Sequence, residues 1–356
     1  METRIQKFRT ILEEKNVDAI LLKSKTNKKY IGALTGSGVK VVITKDHVYQ
    51  VMDGRYINEA KETTTGFENI VFNQGDSYLK AVKEVMNGKL RLAVEASQVL
   101  VNEYKSMLAH GFDLTLLDGE LEFARRCKDD QEIALVQKAC DITDKIFAEA
   151  IKEIHVGMKE YELSALLQYL AILNGASGMA FDTIVASGER GSMPHGRPTD
   201  KEFKEHEFIT IDFGITYQGY QSDMTRTVCI GEPNPEVKKI YDIVKEAQQS
   251  GVDFIKEGVT GQQVDAHVRE FIASKGYGEY FTHGLGHGMG MGEGEFPLLN
   301  QRSTTVLEER MMMSCEPGIY VPGVGGVRIE DDVLIRNGKG VPLNHTPKDL
   351  IILEVK

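Results

Sequence analysis

The chain has 356 residues, of which 41% are hydrophobic and 27% charged, and its net charge is −11. That composition belongs to a globular protein with a real core, long enough for one small and one large domain. The acidic balance and the lack of any Lys/Arg block leave a nucleic-acid role without electrostatic support, and no apolar run approaches the roughly 18–20 residues of a membrane span.

The N-terminus, METRIQKFRTILEEKNVDAILL, has an amphipathic helical pattern and no signal-peptide apolar core, so the expectation is a cytoplasmic protein. Through residue 120, the strand-like runs VDAILL, KVVIT, VYQVM, ENIVF and RLAVE alternate with helical stretches, the pattern of an α/β domain. His47 and His110 have no clustered acids nearby, and nothing in this part points to catalysis. The charged stretch EFARRCKDDQE marks a boundary, which places one domain at 1–122 and a second at 123–356. Two Asp then open a long helix, DDQEIALVQKACDITDKIFAEAIKEI, and complement its dipole. Cys127, Cys140, Cys229 and Cys315 form no C-x-x-C and are expected to be reduced and structural.

The second domain repeats itself. KIFAEAIKEIHVGMKEYELSALLQYLAILNGA and IVKEAQQSGVDFIKEGVTGQQVDAHVREFIASKGYG align with Gly157 on Gly258, Leu163 on Val264 and Leu170 on Phe271. In each copy a helix is expected to end at a Gly C-cap before a second amphipathic helix begins. A strand-rich segment with two acids follows each helix pair. Asp212 and Asp223 lie in ITIDFGITYQGYQSDMTRTV, equidistant from a turn centred between Tyr217 and Gln218; Glu316 and Glu330 flank Gly323 in SCEPGIYVPGVGGVRIEDDVLI. As antiparallel hairpins, both segments would set their acids across from one another, with Cβ atoms about 4.5–5.5 Å apart, which is destabilising unless a cation intervenes. Two α-α-β halves about a pseudo-two-fold are therefore expected, sharing a curved sheet with the acids meeting in its middle.

Carboxylates alone suit Mg or Ca, and adding an imidazole shifts the choice toward Mn, Fe, Co or Zn. His283 and His287 in YFTHGLGHGMGMGEGEF, and His195 in SMPHGRPT, are the candidates. A lone histidine is ordinarily a hydrogen-bonded structural residue, and His206, His267 and His345 are read that way. The runs ITIDFGI and DMTRTVCI read as buried strands, and a buried acid must be paired, metal-bound or neutral. GLGHGMGMGEG contains neither G-x-G-x-x-G nor G-K-[ST], so its glycines serve close backbone approach rather than a phosphate cradle. The absence of H-E-x-x-H and G-x-S-x-G removes the zincin and serine-hydrolase readings, leaving two-metal hydrolysis.

With these residues placed, segment 124–352 resembles the M24-type metallopeptidase family of methionine aminopeptidase, prolidase and Xaa-Pro aminopeptidase. The resemblance rests on SMPHG, IDFG with SDMTRT, HGLGHGMG, CEPGIY and GGVRIEDD, in the family's order and spacing. Segment 1–120 resembles the creatinase-type N-terminal domain of the prolidase and Xaa-Pro aminopeptidase branches. The implied architecture is a creatinase-like α/β domain followed by an α+β pita-bread catalytic domain. For the site, the resemblance implies Asp212 chelating one metal, Asp223 bridging two, and His287, Glu316 and Glu330 completing the spheres. It implies two divalent ions, Mn2+ or Co2+ first and Zn2+ or Fe2+ as substitutes. Glu316 becomes the proton shuttle, His195 a catalytic residue contacting substrate, and His283 a catalytic residue lining the substrate pocket. Arg328 would pair with a carboxylate near the metals, or contact substrate. Peptide substrates and a homodimer follow from the same source.

One departure stands out: family peptidases place a second catalytic histidine, in a V-H-E triplet, seven positions after the ligand histidine, and Gly294 stands there. Losing one such hydrogen-bond donor typically costs about 10²–10³ in rate. The expected function is a dinuclear exopeptidase releasing the N-terminal residue of Xaa-Pro peptides or dipeptides. The rival is a metal-dependent hydrolase of a small non-peptide amide or amidine, as in creatinase-like relatives. A non-catalytic binding module is disfavoured, since it has no need of converging acids.

Overall fold

Alternating strand and helix periods in the first third of the chain, and paired helices around acid-bearing strands in the rest, are the patterns on which the fold is built. A computed structural model describes residues 2–73, 75, 77–292 and 295–356. Gly294 lies outside the described residues. The chain divides into two units, Met1–Ala124 and Arg125–Lys356.

The first unit holds a six-stranded sheet: β1 (Ala19–Leu22), β2 (Val39–Thr44), β3 (Val48–Asp53), β4 (Glu68–Phe72), β5 (Arg91–Glu95) and β6 (Asp113–Leu117). Their spatial order is β4-β3-β2-β1-β5-β6, with β1 antiparallel to β2 and parallel to β5. The AILL run of β1 is buried throughout, as a central strand covered on both faces must be.

In the second unit, helix Asp130–Ala150 starts at an Asp129/Glu132 capping box and helix Gly261–Ser274 at a Thr260/Gln263 box. Helices Glu160–Leu173 and Pro235–Phe254 complete the two pairs. Gly157 and Gly258 do not cap the first helix of each pair, which stops earlier, at Ala150 and Phe254. Each instead turns the chain ahead of the second helix, at φ 87° and 89°, a left-handed conformation that a Cβ disfavours. Leu163 and Val264 are both buried, so the repeat holds in three dimensions. No helix among the described residues is long and apolar enough to cross a membrane.

Strands β7 (Gly178–Met179), β8 (Ile184–Ser187), β9 (Phe208–Phe213), β10 (Ile215–Tyr217), β11 (Tyr220–Gln221) and β12 (Met224–Ile230) follow the first helix pair. After the second come β13 (Met312–Cys315), β14 (Gly318–Val321), β15 (Gly325–Arg328), β16 (Asp331–Arg336), β17 (Lys339–Pro342) and β18 (Ile351–Leu353). The ladders are separate rather than one continuous sheet: β18-β12-β9-β8, β11-β10-β7, β13-β16-β17 and β14-β15. They join where the Glu330 amide donates to the Thr225 carbonyl (3.1 Å) and the Thr227 hydroxyl to the Arg328 carbonyl (3.0 Å).

The first acid pair departs from the expected register. Asp212 stands opposite Thr225, and Tyr217 opposite Tyr220, because the turn is Gln218-Gly219 with φ 49° and 90°. Two positive φ values are the mark of a hairpin turn whose twist matches that of its strands. The resulting offset of two residues keeps Asp212 and Asp223 on one face, since faces alternate singly. The second pair follows expectation: Cys315 pairs with Asp331 and Gly318 with Arg328, which sets Glu316 and Glu330 at matching positions between the two ladders.

Arg226 anchors this junction. It donates to Asp331 Oδ1 (2.6 Å), to the Glu330 and Thr346 carbonyls (2.5 and 2.7 Å) and to Pro347 (3.1 Å), and both charged side chains are 2% exposed. Removing one partner of a buried pair strands the other charge. Asp331→Ala is therefore expected to destabilise the protein by roughly 3–5 kcal/mol in urea unfolding. Lys238→Ala, at the exposed Lys238–Asp242 pair, is the control and should stay within about 1 kcal/mol.

Candidate metal centre

Asp212 is the penultimate residue of β9, a strand buried along its whole length, and Asp223 immediately precedes β12. His287 arrives on a glycine-rich segment that runs alongside β13: the Ser314 amide donates to the His287 carbonyl (2.8 Å) and the Met289 amide to the Met312 carbonyl (2.9 Å). The approach tolerates no side chains on either side of His287. A Cβ on Gly286 would lie 2.1 Å from the Ser314 oxygen, and one on Gly288 2.5 Å from the Glu295 backbone.

One oxygen or nitrogen each from Asp223, His287 and Glu330 lies within 4.8 Å of the others. His287 Nε2 is 3.5 Å from Asp223 Oδ2 and 3.7 Å from Glu316 Oε1. Asp212, Asp223, His287, Glu316, Glu330 and His195 all line one cavity of about 760 Å³, with Phe181, Ile184, Met289 and Leu298 as its apolar wall. His283 lies outside it and lines a separate cavity of about 390 Å³.

The acids are held by neighbours that sequence reasoning did not single out. Thr225 Oγ1 donates to Glu330 Oε2 (2.6 Å), Ser314 Oγ to Glu316 Oε1 (3.1 Å), and the Asp223 amide to Asp332 Oδ2 (2.9 Å). Ser and Thr two residues from an acid on a strand share its face, and that spacing was the available signal. Arg328 is 3% exposed and does not line the cavity. Its guanidinium pairs with Asp212 Oδ2 and also bonds Thr225 Oγ1, Tyr320 OH and the Pro194 carbonyl.

Burial and mutual repulsion shape the electrostatics. Burial, reinforced by Asp223, raises Asp212 to about 6 against the pull of Arg328, and burial raises Glu316 to about 7. Glu330 is pushed well above the carboxylate range by burial and by the three other acids. Burial opposes a charge on His287, yet the Asp223 hydrogen bond and the Glu316 and Asp223 charges raise it to about 10. Such a cluster draws in positive charge. Asp212 Oδ1 and Asp223 Oδ1 are buried without a hydrogen-bond partner among the described residues. Orphaned acceptors, clustered carboxylates and one imidazole together fit divalent metal ions.

His283 sits in a set of hydrogen bonds of its own. Tyr320 OH accepts from Arg328 Nη1 (2.9 Å) and can therefore donate to His283 Nε2 (2.8 Å), while His283 Nδ1 faces the Gly284 carbonyl (2.7 Å). These partners define a neutral Nδ1–H ring. Burial, followed by the charge of Arg328, lowers its pKa to about 4, from 6.5 when free. Between those values the unfolded chain binds the extra proton, so stability is complete above pH 6.5 and falls as pH drops toward 4. That component is roughly 3 kcal/mol. In urea unfolding, the pH 7-to-4 loss should shrink by about this amount in His283→Gln; equal losses would show that the ring is not held neutral.

Comparison with known proteins agrees with this geometry. Residues 134–337 match metallopeptidase family M24, and residues 4–127 match the creatinase/prolidase N-terminal domain. The Xaa-Pro dipeptidase of Pyrococcus horikoshii is 38% identical, with 99% of each chain covered. Among solved structures, the Xaa-Pro dipeptidase from Bacillus anthracis superposes with a TM-score of 0.94 at 38% identity, covering 99% of each chain. The X-Pro aminopeptidase from Thermotoga maritima gives 0.89 at 36% identity, over 95% of this chain and 98% of that one. The expected architecture is borne out, a creatinase-type domain followed by a pita-bread catalytic domain. The chain belongs to metallopeptidase family M24 and is a peptidase hydrolase with a creatinase/prolidase N-terminal domain.

Proposed function

We propose that the chain is a dinuclear metal-dependent exopeptidase that removes the N-terminal residue from Xaa-Pro peptides or dipeptides. The observation that carries this reading is the convergence of Asp212, Asp223, His287, Glu316 and Glu330 on one cavity, with buried Asp oxygens left unpartnered among the described residues. Support for the substrate class comes from relatives bearing the names Xaa-Pro dipeptidase and X-Pro aminopeptidase. The small-amide reading rested on Gly294, which lies outside the described residues, and nothing among the relatives favours it.

These five side chains would hold the ions, Asp223 shared between them, and Mn2+ or Co2+ suits the set, with Zn2+ or Fe2+ as substitutes. When bound, the ions supply Lewis acidity and make water acidic enough to attack near neutral pH. The chain's own residues do the rest. Glu316 takes a proton from the attacking water and delivers it to the leaving amine. His195, exposed on the cavity wall, donates a hydrogen bond to the substrate carbonyl oxygen as charge develops there. Phe181, Ile184, Met289 and Leu298 offer an apolar surface to the proline ring.

Protein stripped by chelation should be inactive on Ala-Pro and regain cleavage with Mn2+ or Co2+, followed by chromatography of released alanine. Failure to cleave any Xaa-Pro dipeptide or tripeptide with a full metal complement, measured by elemental analysis, would remove the proposal. In Asp223→Asn, a neutral amide replaces the shared carboxylate, so both turnover and bound metal should be lost while the circular dichroism spectrum is retained. Wild-type activity in that variant would refute the sharing role.

A further inference from the structure

The segment from Ser187 to Thr199 brings His195 to the cavity wall with little regular structure of its own, only a 3-10 turn at Gly188–Ser192. A loop of this kind holds a reacting group in place only if something outside it supplies the order. Glu160, at the start of helix Glu160–Leu173, does so, with a side chain that is 0% exposed.

Its two carboxylate oxygens are divided between the ends of the segment. Oε1 accepts from the Ser187 amide and hydroxyl, both at 2.9 Å. Oε2 accepts from the Thr199 amide (3.0 Å) and hydroxyl (2.8 Å). Arg190 Nε lies 3.2 and 3.1 Å from the two oxygens, and its Nη2 donates to the Arg197 carbonyl (2.7 Å). The helix start does not require this burial, because Glu162 already accepts from the Lys159 amide there (2.8 Å). Charge buried so fully is retained only where donors satisfy it, and these donors all come from the His195 segment.

The middle of the segment is gripped from the other side. Arg328 Nη1 donates to the Pro194 carbonyl (3.1 Å), and Gly191 packs so closely on β15 that a Cβ on Gly326 would lie 2.1 Å from its oxygen. Because Arg328 also pairs with Asp212, the position of His195 is tied to that of an acid at the metal centre.

We propose that Glu160 is a positioning residue for the reaction, its carboxylate clamping both ends of the Ser187–Thr199 segment so that His195 meets the substrate carbonyl. This rests on the peptidase reading of His195. Misplacement of such a group by about 1 Å can cost about 10²-fold in rate. Glu160→Gln keeps the shape but sets an amide NH2 against donors and removes the charge that Arg190 answers.

In the metal-loaded enzyme, Glu160→Gln should lower kcat about 10- to 100-fold, with KM and bound metal changed less than about threefold. In a His195→Ala background the same change should cost less than about threefold further, since it acts through His195. Glu160→Asp, which retains the charge, should recover part of the loss. Hydrogen exchange supplies a readout independent of turnover: amides within 188–198 should exchange faster in Glu160→Gln, while β9 and β12 stay protected. If Glu160→Gln does not fold, Thr199→Val, which loses a single hydroxyl donor, should produce the same pattern at smaller amplitude. Full additivity with His195→Ala, or unchanged exchange in 188–198, would overturn the clamp. Should wild-type protein cleave no Xaa-Pro substrate, the peptidase reading falls, and exchange alone decides whether Glu160 holds the segment.

Discussion

Repulsion among Asp212, Asp223, Glu316 and Glu330, three of them buried, is the constraint around which the catalytic unit is organised. A fold gains nothing from gathering like charges away from solvent, so each acid needs its own support. Arg328 answers Asp212, His287 faces Asp223 and Glu316, and hydroxyls from Thr225 and Ser314 hold Glu330 and Glu316. Even so, burial holds Asp212, Glu316 and Glu330 above the ordinary carboxylate range, and one buried oxygen each of Asp212 and Asp223 is left over among the described residues. The protein is arranged around positive charge that its own side chains supply only in part.

Duplication solves the construction problem. Each half packs a helix pair against its own strands, with one core around Leu163 and Ile211 and another around Val264 and Val333. Each half then delivers two acids from strand ends to the seam. The halves are not copies in detail: one hairpin turns on Gln218-Gly219 and the other on a Pro/Gly stretch around Gly323. Arg226 and Arg328 cross the seam by bonding backbone and side chains on both sides. Apart from β18, which pairs with β12, specific polar contacts rather than one continuous sheet join the halves.

Much of this was legible in the sequence because period and spacing carry it. Helix pairs announce themselves by apolar periodicity and capping residues, and acids repeated at the same place in two half-domains stand out against a buried strand pattern. The register of the first hairpin was not legible, since Tyr-Gln-Gly allows more than one turn centre and only the backbone dihedrals of Gln218 and Gly219 choose between them. Gly157 and Gly258 were readable as turn formers, but sequence did not separate a cap from a turn several residues later. The place of His283 was hidden for another reason: its neutral state depends on Tyr320 and Arg328, distant in sequence and brought together by β14 and β15. Glu160 was invisible on the same principle. Its partners, from Ser187 to Thr199, share no periodicity with the helix it begins.

Gly286 and Gly288 give the site an uneven capacity for change. Any side chain at either position collides with Ser314 or with the Glu295 backbone, so the strip presenting His287 is closed to sequence drift. Elsewhere on the cavity wall, Phe181, Ile184 and Leu298 contribute only apolar bulk, which other residues of similar volume can replace. The cavity therefore combines a strip that admits no side chain beside His287 with a wall whose shape other apolar residues can reset without touching the acids.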